Sequence, residues 1–144
     1  MIKDALGNFG NSISAIQNVG GPTLIGDYID LEAHLDSWGV SRTPDIGEAG
    51  DLWVNVKVTT TLVGASSTAV FALYHHTAAG VASGAALVTS ADVGESAAGT
   101  TVLRHKIPAG TCNRYLGICL TVGTQNQTGG AIDAWIGDTG ETPK

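Results

Sequence analysis

Two adjacent histidines, His75 and His76, carry the side chains most suited to metal binding in this chain. Successive residues of a strand point to opposite faces of a sheet, so these two imidazoles could not share one ion. His34 and His105 lie far away along the sequence. We therefore expect imidazoles that line the core or a strand edge, and no metal site.

Most of the carboxylates lie in predicted loops, and no spacing pairs two of them for catalysis. Glycoside hydrolysis needs two carboxyl groups about 5–10 Å apart. Asp27, Asp30 and Glu32 offer oxygen ligands for calcium, but their segment lacks the alternation and central glycine of a calcium loop. A Gly-x-Ser-x-Gly elbow, a phosphate-binding loop and a His-Glu-x-x-His motif are also missing from the sequence. We therefore expect no catalytic residue and no cofactor, and predict that the protein is not an enzyme.

Three tryptophans have side chains that could act in recognition. Trp38, Trp53 and Trp135 would form a platform for stacking on sugar rings if they were exposed together. The simpler interpretation packs Trp53 and Trp135 on sheet faces and lets Trp38 anchor a long connection. Carbohydrate binding, by a β-sandwich module on a phage or cell surface, stays as the alternative function.

The charge and hydropathy pattern argues against nucleic-acid and membrane partners. The formal net charge is −6, and Arg42, Arg104 and Arg114 lie in separate segments rather than in a basic patch. No apolar run approaches the roughly 18 residues of a membrane span, and the first residues lack the apolar core of a signal peptide. We therefore expect synthesis in a cytoplasm. The odd spacing of Cys112 and Cys119 places them on opposite faces of a strand, so no disulfide is expected.

The strands that must position these side chains are marked by period-two alternation. Leu52 to Leu62 alternates over its whole length, and Thr68 to His76 follows after the turn Gly64–Ser67, which predicts a hairpin. Shorter runs predict five more strands, at residues 24–31, 85–88, 101–107, 113–122 and 131–136. Short strands separated by turns about every ten residues predict an all-β, antiparallel two-sheet sandwich of jelly-roll type.

The segments outside these strands divide the chain. Residues 1–23 are rich in Asn, Gly and Ser with sparse apolar side chains, which favours an extended N-terminal arm. The sandwich is expected over residues 24–137 and a flexible C-terminal tail over 138–144. Deletion of residues 1–12 is expected to leave the domain folded. Residues 32–50 form a long irregular connection, and such connections are commonly functional or ordered by a partner.

Several strand and turn motifs resemble the small capsid cement proteins of tailed bacteriophages. The resemblance rests on Met1–Gly7, Ile29–Leu31, Arg104–Gly110 and Arg114–Leu116, and it continues through Thr121–Gly123, Gly129–Gly130 and Ala134–Ile136. In that family further aromatic residues commonly follow the position of Tyr115, whereas this chain has Gly117 and Cys119.

The resemblance implies a jelly-roll virion protein on the capsid exterior. Such a protein would cement neighbouring major capsid protein subunits as a homo-oligomer, a dimer or trimer. Five residues are the expected contacts with the capsid: Ile2, Leu6 and Phe9 in the arm, and Trp38 and Arg42 in the long connection. Structural roles are expected for Pro108 in a turn, for Arg114 bonding loop carbonyls, and for Tyr115 and Leu116 in a strand.

Overall fold

The computed structural model describes residues 7–31, 34–35, 37–39, 41–42, 52–108 and 112–138. These residues form strands and one short 3-10 turn, Val81–Ser83. The strands are β1 Asn8–Ser14, β2 Gly20–Asp30, β3 His34–Leu35, β4 Ser41–Arg42, β5 Leu52–Val63, β6 Thr68–His76, β7 Ala85–Thr89, β8 Thr101–Lys106, β9 Tyr115–Gly123 and β10 Gly129–Asp138.

Eight of these strands form two four-stranded antiparallel sheets. The first sheet has the order β1-β10-β5-β8 and the second the order β2-β9-β6-β7. When β3 and β4 are set aside, the first sheet contains the first, eighth, third and sixth strands of the chain. The chain therefore crosses repeatedly between the sheets, as in a jelly roll built from two Greek keys. This arrangement confirms the predicted all-β antiparallel two-sheet sandwich.

The core lies between the sheets and follows from the alternation in the sequence. Every second residue of β5 from Val54 to Val58 is fully buried, as are Phe71 and Leu73 of β6. In β9 the same side chains that alternation predicted point inward, namely Leu116, Ile118, Leu120 and Val122. Burial of a Val, Leu or Phe side chain contributes about 1.5–3 kcal/mol, so the buried faces of these strands contribute strongly to stability.

The predicted hairpin between β5 and β6 is wrong. β5 pairs with β10 and β8, whereas β6 pairs with β9 and β7 in the opposite sheet. The turn Gly64–Ser67 therefore connects β5 of the first sheet to β6 of the second sheet. Both strands bury one apolar face, and two such faces can bury each other by packing as well as by lying side by side. The sequence pattern does not distinguish these two arrangements.

The N-terminal segment differs from the expected arm. Residues 8–14 form β1, which pairs with β10, and Phe9 in this strand is 0% exposed. Residues 20–30 form β2, an edge of the second sheet. The sandwich therefore begins at residue 8 rather than 24, because Phe9 and Ala15 complete its core. Residues 1–6 and 139–144 lie outside the described residues.

A small second cluster covers the outer face of the second sheet. Ala72 and Cys119 point away from the main core but are buried, and Val81 of the 3-10 turn is buried with them. A Cβ on Gly117 would lie 3.2 Å from Val81 and 2.5 Å from the end of Leu24. The absence of a side chain at Gly117 therefore makes room for this turn.

Candidate docking surface

The predicted contact residues fall in three different settings. Ile2 and Leu6 lie outside the described residues, and so does the side chain of Arg42, although its backbone belongs to β4. Phe9 is part of the core and cannot reach a partner while the domain is folded. Trp38 is the one of the five whose described side chain is exposed, with 88% of its surface accessible.

A short hairpin holds Trp38 within the long connection between β2 and β5. β3 pairs with β4 through His34 opposite Arg42 and Leu35 opposite Ser41. Between these strands lie Ser37–Gly39, and Gly39 adopts a φ of 75°, which glycine accepts without strain. Tryptophan side chains are large and are, on average, highly buried in folded proteins. Its exposure near the tip of a hairpin makes Trp38 the candidate contact residue of this segment.

A second exposed group lies where β2 ends and β9 begins, and we call it the tyrosine–arginine cluster: Tyr28, Asp30, Arg114 and Tyr115. The Arg114 Nε and Nη2 donate to the two carboxylate oxygens of Asp30 at 2.6 and 2.8 Å. The Arg114 guanidinium lies 4.9 Å from the centre of the Tyr115 ring. Tyr28 meets Tyr115 edge to face, with 5.6 Å between ring centres.

Strand register explains why these four side chains meet. Asp30 lies opposite Tyr115, while the neighbouring pair Ile29 and Leu116 points the other way, toward the core. Tyr28 and Asp30 are two residues apart and share the outer face. The carbonyl of Arg114 accepts a hydrogen bond from the Leu31 N–H at 2.8 Å, which fixes the backbone beside the cluster.

The bonds within the cluster pre-organise it rather than stabilise the fold strongly. Tyr28 is 45% exposed, and Arg114 and Asp30 are both partly exposed. An exposed ion pair contributes about 0.2–1 kcal/mol, with the bidentate form at the upper end. The described bonds of the Arg114 side chain run to the Asp30 carboxylate, so its predicted bonding to loop carbonyls stays a prediction. Aromatic residues and arginine are the residues most enriched at protein interfaces.

The His75 and His76 side chains bond to the backbone. The His75 Nδ1 accepts from the Asn113 N–H at 3.1 Å, and the His76 Nδ1 accepts from the Ala78 N–H at 2.8 Å. In the part of the chain that the structure describes, no three His, Cys, Asp or Glu side chains come close enough to hold a metal ion.

Trp53 and Trp135 do not form an exposed pair. Both lie on the outer face of the first sheet, but Trp135 is only 2% exposed and therefore presents no ring for stacking. Tyr28 is exposed and meets the half-buried Tyr115 edge to face.

The thiol of Cys119 lies in the second cluster and is not in a disulfide. Burial raises the pKa of this thiol to about 11. The protonated thiol is a poor nucleophile, so Cys119 acts as a small packing residue.

Comparison with known proteins gives one family. Within the described residues, no helix is long and apolar enough to cross a membrane. A search among curated proteins found no match. The family model described as Bbp16 matches residues 13–136, which span β2 to β9 and most of β10, and the chain therefore belongs to the Bbp16 family.

Proposed function

We propose that this protein is a structural virion protein that binds the outer surface of a bacteriophage head. It cements neighbouring major capsid protein subunits there as a homo-oligomer, and it catalyses no reaction. The proposal combines the resemblance of the sequence to phage cement proteins with the jelly-roll topology, a fold that virion proteins share with lectins and enzymes.

The observation that carries the proposal is the exposure of Trp38. With 88% of its surface accessible, this side chain exposes on the order of 200 Å² that a partner could bury. At roughly 25 cal/mol per Å², that area is worth several kcal/mol before the losses of association are subtracted. Tryptophans that become buried in an interface are frequent hot spots, and their truncation costs about 2–4 kcal/mol of binding free energy.

The tyrosine–arginine cluster is the second proposed contact. It lies at the end of β2, from which the chain continues into the connection that carries Trp38. The guanidinium of Arg114 is already fixed by Asp30, so its side chain loses little entropy on binding. Weak contacts of this kind add up when symmetry repeats them over a capsid.

The test is the binding of purified protein to heads that lack it. Trp38→Ala is expected to weaken binding by roughly 30-fold or more, because a 2 kcal/mol loss corresponds to that factor. Ile16→Ala is the control. Ile16 is also a large exposed apolar residue, at 64%, but it lies outside the proposed contacts, just after β1 and next to the Gln17–Gln127 bridge. Equal binding by Trp38→Ala and wild type would remove Trp38 from the interface.

Carbohydrate binding is the second candidate, and the arrangement of Tyr28 and Tyr115 beside Asp30 and Arg114 favours it. An exposed aromatic ring next to fixed polar groups is the usual form of a sugar site. A glycan array separates the two functions. A set of related glycans bound by wild type and lost in Tyr28→Ala supports the lectin activity, and an array without binding removes it.

A further inference from the structure

A groove of about 350 Å³ lies where the end of β5 runs beside the connection between β7 and β8. Its lining is formed by six residues: Thr61, Leu62, Val63, Glu95, Ser96 and Ala97. The Leu62 N–H donates to the Ser96 carbonyl at 2.9 Å, and the Ala98 N–H donates to the Thr61 hydroxyl oxygen at 3.3 Å. These hydrogen bonds join the two sides of the groove and fix their separation.

The groove lies at the end of the sandwich away from the tyrosine–arginine cluster. β9 begins at Tyr115 in the cluster, and β10 follows it at the far end through a short connection. In that connection the Thr128 N–H donates to the Val63 carbonyl at 2.7 Å, which places Val63 at the far end as well. The groove and the cluster are therefore positioned to contact different neighbours.

The apolar part of the lining suits an aliphatic chain. Val63 is 49% exposed although it is a large apolar residue, and Ala97 on the other side of the groove is also exposed. The Ser96 hydroxyl already donates to the Val93 carbonyl at 3.2 Å. Long basic side chains lay their methylene groups along such apolar surface and keep the charged end at its edge.

Glu95 places a carboxylate at this groove without a cation beside it. Its side chain is exposed and makes no hydrogen bond or ion pair within the part of the chain that the structure describes. Lys57 of β5 lies four residues before Thr61, which is about 13 Å along a strand. The neighbouring Asp92 carboxylate is occupied, because it accepts from two backbone N–H groups at 2.9 and 3.1 Å. Glu95 is therefore available to a positive group of another molecule.

We propose that this groove binds a basic side chain, lysine or arginine, of a second protein. The aliphatic stem lies against Val63 and Ala97, and the cationic end donates hydrogen bonds to the Glu95 carboxylate. The proposed function places its contacts at the other end of the sandwich, so this site goes beyond it. A protein with one contact site at each end is able to join two neighbours.

The experiment titrates the full, isotope-labelled chain with the N-acetyl methylamides of lysine and of arginine, and follows the backbone amides by NMR. Saturable shifts of the Val63, Glu95 and Ser96 amides are expected with a dissociation constant in the millimolar range, because one side chain makes few contacts. Glu95→Gln is expected to weaken binding roughly threefold to fivefold, as loss of an exposed ion pair does. Added salt is expected to weaken the binding of wild type.

Two controls distinguish the groove from a general attraction of cations to an acidic protein. Asp27→Asn removes the same charge from an exposed position of β2 and is expected to bind as wild type does. Ala97→Leu keeps every charge but fills the groove, and is expected to abolish the saturable shifts. Absence of saturable shifts with both compounds, wild-type binding by Glu95→Gln or Ala97→Leu, or an equal loss in Asp27→Asn would each overturn the inference. Because no phage head is used, these outcomes are independent of the proposed function.

Discussion

Replacement of Phe9 by alanine tests whether the N-terminal segment belongs to the core. Phe9 is 0% exposed and packs between β1 and the rest of the sandwich. Phe→Ala changes in a core cost about 3–5 kcal/mol, from lost burial and the cavity left behind. The free energy of unfolding of such domains is about 5–15 kcal/mol, so the change removes a large part of the stability.

Urea unfolding measures this loss directly. With a denaturant slope of about 1–3 kcal/mol per M, a loss of this size lowers the midpoint of Phe9→Ala by roughly 2 M. The matched control is Ile16→Ala in the same segment, which is 64% exposed and is expected to change stability by less than about 0.5 kcal/mol. If Phe9→Ala costs less than about 1 kcal/mol, Phe9 does not lie in the core and the arm interpretation returns.

Because Phe9 is buried, the structure changes the outcome expected for deletion of residues 1–12, which the sequence predicted to leave the domain folded. Deletion of residues 1–12 removes Phe9 and most of β1, and it exposes the edge of β10. We therefore expect this truncated protein to be strongly destabilised. Deletion of residues 1–6, which stops short of β1, is the informative variant for testing a role of Ile2 and Leu6 in attachment.

Three further changes test separate parts of the structure. Gly94→Ala would press a Cβ against the Ser67 carbonyl oxygen, and is expected to cost about 1–3 kcal/mol or more in thermal unfolding. Asp30→Asn removes the ion pair to Arg114 and is expected to cost less than about 1 kcal/mol, a difference that vanishes in about 1 M salt. Cys119 has a pKa raised from 9.0 to about 11, so the unfolded thiol ionises first and the free energy of unfolding falls as the pH rises from 9 toward 11. In Cys119→Ala this part of the pH dependence should be absent, and a persistent slope would assign it to other groups.

The fold was predictable where local alternation is regular. β5 and β6 were recognisable because one face of each is apolar over most of its length. Their pairing partners were not, since β5 pairs with β10, which lies far along the chain. Local patterns report which face is buried, whereas the partner sheet depends on contacts between distant segments.

β1 escaped prediction because its periodicity is interrupted. Its pairing with β10 has register shifts between Asn8 and Gly10 and between Gly10 and Ile13. Gly10 and Ser12 have positive φ values of 146° and 50°, so the side chains no longer alternate strictly. The Asn, Gly and Ser residues that suggested an arm are the residues that permit these irregularities.

The candidate surface was predictable in part. Trp38 was identified because a tryptophan stood in a long connection, and the structure places it on the surface. The tyrosine–arginine cluster was not, because Arg114 and its Asp30 partner are 84 residues apart. The sequence shows which residues can form such a pair, but only the β2–β9 register brings them together.

The most direct test of the central claim is an electron-microscopy map of a phage particle that contains this protein, at a resolution that shows side chains. The proposed function predicts a jelly roll on the outside of the head, over the junctions between major capsid protein subunits, with Trp38 buried in the contact. A particle in which the protein is absent from the head exterior, or touches a single subunit through another surface, would contradict it.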